Sequence, residues 1–292
     1  TKIMHPTYGE APLADRFQQW NQAWRRGEAL GGRIERELEF SSLLDLLPSS
    51  GSRHAIAGTA GRGPHALSFA RLYDFLSNGA PFRNLGLRPG DRCAIAMPEG
   101  PELAVCLLAI SMRCTVVPMN PWNPEGEITV DLSETGAKAV IVPVGEGFEQ
   151  IRRAARVCGV AVIDLARDAA RTGLFELDGD ALCAAGTDRR LNGPDDLALA
   201  LFTSGTSGRK KLVPIRLHDL CVGAACIATA LELAPEDRGY NMMPLFHVGG
   251  IVRNLYAPLL AGSGMIYSDG FDAAMFWDEL DSGVGFNWYY AS

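Results

Sequence analysis

The sequence predicts an α/β fold in which a mainly parallel sheet is flanked by helices, and three observations predict it. Short apolar runs alternate with helix-length segments from about residue 93 onward. Within those segments apolar residues recur at helical spacing, as Leu103, Leu107 and Ile110 do. An apolar run at 197–202 then opens directly into a turn of glycines and hydroxyls. Strands separated by helix-length connections need crossovers, which makes neighbouring strands parallel and the crossovers right-handed.

In order along the chain, residues 1 to about 60 read as a mixed arm. Phe17, Trp20 and Trp24 are spaced at three and four, as one helix face places them, and Phe40, Leu43, Leu44 and Leu47 repeat that pattern. Helices that pack on a body elsewhere are the expected result. Residues 58–64, rich in Gly and closed by Pro64, signal a turn or hairpin. A strand at 93–97, a helix near 101–113, a strand at 115–118, a helix near 125–136 and a strand at 139–142 follow. The inner face of the 101–113 helix is expected to be core. Next come a helix near 148–157, a short strand at 160–163 and a polar connection to about 195. After the 197–202 strand come an apolar run at 212–215, a helix near 217–232 and a strand at 240–243. A helix near 249–260, a strand at 265–267, a helix near 272–281 and a strand at 286–290 complete the order.

Composition narrows the function classes. The chain has 292 residues, 47% of them hydrophobic, enough for a substantial globular core. A formal charge of −7 argues against a nucleic-acid partner, because phosphate-backbone binding needs clustered Lys and Arg. Arg152-Arg153 and Arg189-Arg190 read as solvated faces. Seven cysteines show no C-x-x-C spacing and lie mostly in apolar runs, as buried free thiols in a reducing compartment would. No apolar segment reaches the roughly 18 to 20 residues that span a bilayer, and the N-terminal residues lack a signal-peptide core. A soluble, cytoplasmic protein is expected.

The chemistry concentrates in Leu201-Phe202-Thr203-Ser204-Gly205-Thr206-Ser207-Gly208-Arg209-Lys210-Lys211. Gly205 and Gly208 permit tight or left-handed backbone, so successive amide N–H groups can converge on an anion. Thr203, Ser204, Thr206 and Ser207 add hydroxyl donors, and Lys211 can neutralise charge. The spacing fails the G-x-x-x-x-G-K-[ST] loop, since Lys210 stands where that pattern needs its second glycine. Other motifs fall away. Gly145-Glu146-Gly147 lacks the third glycine of a dinucleotide fingerprint, and its acidic neighbours would repel pyrophosphate, so it reads as an ordinary turn. No G-x-S-x-G elbow and no H-E-x-x-H or Cys/His ligand set occurs. His247, beside Phe246 and Val248, is open to a core or a pocket reading. Gly249-Gly250 favours the pocket by leaving room for close backbone approach.

The turn resembles the T-S-G-T-T-G-x-P-K-G signature of the adenylate-forming family: acyl-CoA synthetases, peptide-synthetase adenylation domains and luciferases. About thirty residues downstream, Met243-Pro244-Leu245-Phe246-His247-Val248-Gly249-Gly250 resembles that family's P-L-F-H-x-G-G segment. Residues 90–121, with Pro118-Met119-Asn120-Pro121, resemble its strand, helix and V-P-L-N-P turn. Three positions depart from the signature: Ser207 for the second Thr, Lys210 for the Pro, and Leu212 for the Gly after the lysine.

The resemblance implies an acyl-CoA synthetase-like N-terminal domain with an incomplete second α/β subdomain. Residues 1–62 would be an arm packing with that second subdomain, 63–232 the α/β subdomain carrying the phosphate loop, and 233–292 the incomplete subdomain. It also implies activation of a small carboxylic acid with ATP and Mg²⁺, followed by transfer to CoA or a carrier phosphopantetheine. Thr203, Ser204, Gly205, Thr206, Ser207 and Gly208 would cradle phosphate, Lys211 would act catalytically on its charge, and Thr206 would reach the metal. His247, Gly249 and Gly250 would line the acid pocket. The family's later motifs do not occur in these residues, so the chain reads as the N-terminal part of a longer enzyme, inactive by itself. Its partner would be its own missing C-terminal portion, or a second copy at an edge formed by Phe286, Trp288 and Tyr290. The competing reading is a non-catalytic binding or interaction module that keeps half of the fold.

Overall fold

The computed structural model describes residues 12–59, 66–79, 82, 85–145, 147–179, 190–203, 210–281 and 285–290. The N-terminal arm holds α1 (Ala14–Arg25), α2 (Gly31–Glu37), a short 3₁₀ turn at Leu43–Leu46 and β1 (His54–Gly58). Then come β2 (Leu67–Ser68), α3 (Phe69–Asn78), β3 (Arg92–Ile95), α4 (Pro101–Ser111), β4 (Thr115–Pro118), α5 (Glu125–Thr135) and β5 (Ala139–Pro143). The next stretch supplies α6 (Glu149–Cys158), β6 (Ala161–Arg167), β7 (Phe175–Asp178), β8 (Leu197–Thr203), β9 (Lys211–Arg216) and α7 (Leu217–Ala230). The last holds β10 (Arg238–Asn241), α8 (Val248–Ile251), a π-helical turn at Val252–Tyr256, α9 (Ala257–Leu260), β11 (Gly264–Tyr267), α10 (Ala273–Asp281) and β12 (Trp288–Tyr290).

These strands form two sheets. The seven-stranded sheet runs β7-β6-β5-β3-β4-β8-β9, parallel from β6 to β8, with β7 and β9 antiparallel at its two edges. The five-stranded sheet runs β12-β10-β11-β1-β2 and is parallel except for β2. β1 of the arm therefore lies between β11 and β2, with Ile56 opposite Met265. The α/β architecture with mainly parallel sheets is as the alternation of segments requires.

Two layers of helices explain the burial. α5 and α6 cover the outer face of the seven-stranded sheet, where Ile128, Leu132, Ile151 and Ala155 meet Ala94, Val140 and Val142. A left-handed Gly136 stops α5, a conformation that costs any residue with a Cβ. Between the sheets, α4 touches β4 of one and β1 of the other. α7 packs against β8 and β9 on one side and against the π-turn and α9 on the other. This position corrects the expectation of a single inner face for α4: every residue from Pro101 to Ser111 is buried, because a helix between two sheets has no solvent side.

Other local expectations shift for similar reasons. On α1 the buried residues are Phe17, Trp20 and Ala23, while Trp24 is 45% exposed. Trp24, seven residues after Phe17, lies on nearly the same helix face, but in the last turn of α1. The 40–47 segment makes only a 3₁₀ turn, with Asp45 accepting from the Ser41 and Ser42 N–H groups at 2.8 and 2.9 Å. The polar connection before 195 contains β7, an antiparallel edge strand whose alternating pattern is too short to stand out. Arg152 is no solvated residue: it pairs with Asp164 at 2.6 Å and donates to the Pro143 carbonyl at 3.0 Å. At the β12 edge Phe286 is buried against Tyr240 and Phe276, Trp288 and Tyr290 are half-buried, and Tyr289 is exposed. Cys93, Cys106, Cys114 and Cys221 are buried free thiols. Among the described residues no helix is long and apolar enough to cross a membrane.

Candidate active site

The first wall of the site is a hairpin. Antiparallel pairing of β8 with β9 puts Thr203 directly opposite Lys211, so these two strands flank the hydroxyl- and glycine-rich segment in the chain. Ser204, Gly205, Thr206, Ser207 and Gly208 lie outside the described residues, and so do their expected contacts. Thr203 and Lys211 are both exposed. The Thr203 hydroxyl donates to the Lys211 carbonyl at 3.4 Å. Among the described residues no carboxylate pairs with the Lys211 ammonium, so a cation stands unneutralised at the mouth of the turn.

Lys210 behaves differently. Its ammonium donates to Glu127 Oε1 at 2.6 Å and to Asp131 at 2.7 and 3.0 Å, and it lies over the Phe202 ring. Burial disfavours its charge, but the hydrogen bonds and charges of Asp131 and Glu127 outweigh that and hold it above the ordinary lysine range. Burial, with Glu127 and Glu134 adding to it, raises the Asp131 carboxyl despite Lys210. The lysine that replaces the signature's proline thus ties the end of the turn to α5.

The second wall is built by the segment between β10 and α8. His247 occupies the N-cap of α8, exposed, with its ring 4.7 Å from that of Phe246. Gly250 is required by packing, since a Cβ there would sit 2.3 Å from the Pro244 carbonyl oxygen. Gly249 has nothing within 4 Å of the corresponding position. The close approach read from the glycine pair therefore belongs to Gly250 and the protein's own backbone, and the open space belongs to Gly249. Gly249 lines a cavity of about 350 Å³ whose far side includes Ile215 of β9 and Leu220 and Gly223 of α7. His247, Gly249 and Gly250 thus lie at one helix start, and of the three Gly249 lines the cavity that reaches Ile215 of β9, the strand that carries Lys211.

Sequence reasoning missed three groups here. Glu99, after β3, accepts from the Leu245 N–H at 3.0 and 3.2 Å and so links the seven-stranded sheet to the segment that leads to His247. Burial raises its carboxyl to about 7, with the Leu245 N–H pulling the other way. Asn241 and Asn254 are both buried. Asn241 Oδ1 accepts from Asn254 Nδ2 at 2.7 Å and from the Met243 N–H at 3.2 Å, which fixes the turn that leads to His247. The Tyr267 hydroxyl donates to the Asn254 carbonyl at 2.7 Å. Arg253 lies on the π-helical turn beyond α8. A lone Glu between Pro98 and Gly100 carries no motif, and the other two read as ordinary helix and strand positions.

The family profile described as AMP-binding enzyme matches residues 50–283, a span that takes in both walls. The chain belongs to the AMP-binding enzyme family. Within this AMP-binding enzyme group, it is 30% identical over 236 residues to oxalate–CoA ligase of Saccharomyces cerevisiae, covering 72% of this chain and 42% of the relative. It is 30% identical over 221 residues to sulfoacetate–CoA ligase of Cupriavidus necator, covering 74% of this chain and 42% of that one. The chain spans less than half the length of these curated relatives. Among solved structures, ATP-bound MatB from Rhodopseudomonas palustris matches with a TM-score of 0.61 and 24% identity over 86% of this chain and 47% of that one. O-succinylbenzoate coenzyme A synthetase from Bacillus subtilis, in complex with ATP and magnesium ion, matches with a TM-score of 0.63 and 18% identity over 84% and 62%. These two likenesses establish the fold.

Proposed function

We propose that this chain is the N-terminal part of an AMP-forming acid–thiol ligase. The reaction class is carboxylate plus ATP to acyl adenylate plus pyrophosphate, then acyl transfer to the thiol of CoA or a carrier phosphopantetheine. The observation that carries this reading is the β8–β9 hairpin, which sets Thr203 across from Lys211 at the mouth of the turn. An exposed cation with no carboxylate partner among the described residues fits a polyphosphate, and the open space at Gly249 fits an acid beside it. The names of the CoA-ligase relatives support CoA as the acceptor.

In this reading the chain's residues position and neutralise. Lys211 holds phosphate charge, and the Thr203, Ser204, Thr206 and Ser207 hydroxyls with the Gly205 and Gly208 amides supply donors around it. Thr206 would be the protein ligand of a Mg²⁺ entering with ATP, an ion that would offset phosphate charge. Among the described residues no cluster of His, Cys, Asp or Glu side chains converges as a metal site. ATP supplies the pyrophosphate leaving group. His247, Gly249 and Gly250 bound the acid, and Gly250 keeps the helix start pressed on Pro244 so that His247 stays at the rim.

The test is acid-dependent ATP–pyrophosphate exchange across a panel of acids, run on the 292-residue chain and on the same chain extended by the C-terminal part of a relative. Exchange is expected from the extended protein and not from the 292-residue chain. An extended protein that neither binds ATP nor exchanges with any acid defeats the reading.

A further inference from the structure

The cavity beside Gly249 does not end in an apolar floor. Arg253, six residues after His247 and so about 9 Å farther along the helix axis, lines that cavity and also a neighbouring one of about 560 Å³. The two cavities share Ile227 and Arg253. Three features set this arginine apart. It lies on the π-helical turn Val252–Tyr256, a local widening that re-aims a side chain and recurs at functional sites. Its guanidinium sits 3.8 Å from the centroid of the half-buried Tyr290 ring, which fixes one face of it. Among the described residues no carboxylate pairs with it.

The acidic side chains that line the same cavities are already engaged. Asp237 accepts from the Ala234 N–H at 2.7 Å and from Asn287 Nδ2 at 2.6 Å. Asp219 is held by Arg216 at 2.9 and 3.0 Å. Much of the remaining wall is apolar, including Ile227, Leu231, Leu233 and Trp288. A half-buried guanidinium among such residues has donors to offer and, among the described residues, no carboxylate to accept them. A purely apolar acid would cover those donors without satisfying them, which costs binding energy, whereas an anion would accept a forked pair of hydrogen bonds.

We propose that Arg253 is the specificity-determining residue of the acid pocket, and that it selects acids carrying a second anionic group away from the carboxyl to be activated. This rests on the reading of the cavity lined by Val248 and Gly249, next to His247 in the chain, as the acid site. A straight monoacid of the same length is the disfavoured substrate, because it leaves the guanidinium unpaired.

The experiment is a titration of the 292-residue chain followed by the fluorescence of Trp288, with the other four tryptophans replaced by phenylalanine where folding allows and by thermal shift otherwise. Adipate and pimelate are compared with hexanoate and heptanoate, in wild type, Arg253→Leu and Arg253→Lys. The expected result is diacid affinity at least about tenfold above that of the matched monoacid, lost in Arg253→Leu and partly kept in Arg253→Lys. Retained monoacid binding by Arg253→Leu shows that the variant is folded. Equal affinity for both acid types, a preference unchanged by Arg253→Leu, or no binding of any acid overturns the proposal. Exchange assays on the extended protein separate the two readings. Exchange driven best by monoacids and indifferent to Arg253→Leu sinks this inference and leaves the ligase reading standing. Diacid binding through Arg253 without exchange by any acid does the reverse.

Discussion

Lys210 and Lys211 are adjacent, carry the same charge and meet opposite surroundings. Lys210 spends its charge on Asp131 and Glu127, while Lys211 has no such partner among the described residues. Of these two lysines, Lys211 is therefore the one available to a phosphate. Lys211→Ala in the extended protein is expected to lower acid-dependent exchange at least about tenfold through loss of a charge-assisted contact. Stability should stay within about 0.5 kcal/mol, as for other exposed substitutions. Wild-type exchange in that variant would remove Lys211 from the site. Glu99 makes a second prediction at this scale. Its carboxyl titrates at about 7 when folded, against an ordinary 4.5. Between those values the native state holds a proton that the unfolded chain has released, so stability falls as pH rises through the window and levels off above it. Glu99→Gln keeps an acceptor for Leu245 and removes that slope, recovering roughly 2–3 kcal/mol at pH 8. Thermal midpoints of both proteins from pH 4.5 to 8 test this. Parallel curves would show that Glu99 does not titrate as its burial implies.

At the scale of elements, the start of α8 shows how two adjacent glycines serve different ends. Gly250 lets the helix press on the Pro244 carbonyl, while Gly249 faces open space. Gly250→Ala is expected to destabilise by about 1–3 kcal/mol, the usual cost of forcing atoms into a packed contact. Gly249→Ala should change stability by less than about 0.5 kcal/mol. Urea titrations of both variants check the contrast, and equal losses would mean that the helix start can shift. The pair was visible in the sequence, but nothing in it says which glycine bears the contact. That depends on how the turn from Asn241 to Pro244 folds back, and buried Asn254 on the following π-turn fixes it.

Across the whole molecule, one apolar core runs from α1 through the inter-sheet helices to both sheets. Trp20 is fully buried in it and donates its indole N–H to Glu37 at 2.8 Å. Trp20→Ala is expected to cost about 3–5 kcal/mol, and to shift a single transition without splitting it, because the arm and the body share that core. Unfolding followed by far-UV circular dichroism and by tryptophan fluorescence should coincide. Separate transitions would make the arm an independent unit.

By itself, the order of segments determined the α/β class, most strand and helix positions, and the hydroxyl-glycine-lysine turn with its downstream P-L-F-H partner. These are local signals: periodicity and turn chemistry are written in neighbouring residues. Only the tertiary structure decided that α4 lies buried on all sides, that β9 turns back antiparallel to place Lys211 opposite Thr203, and that Lys210 is neutralised by α5. It alone also put Glu99 under Leu245 and Arg253 over Tyr290. Each of these joins residues far apart in sequence, and their energies come from desolvation and charge pairing that exist only once the sheets and helices have packed.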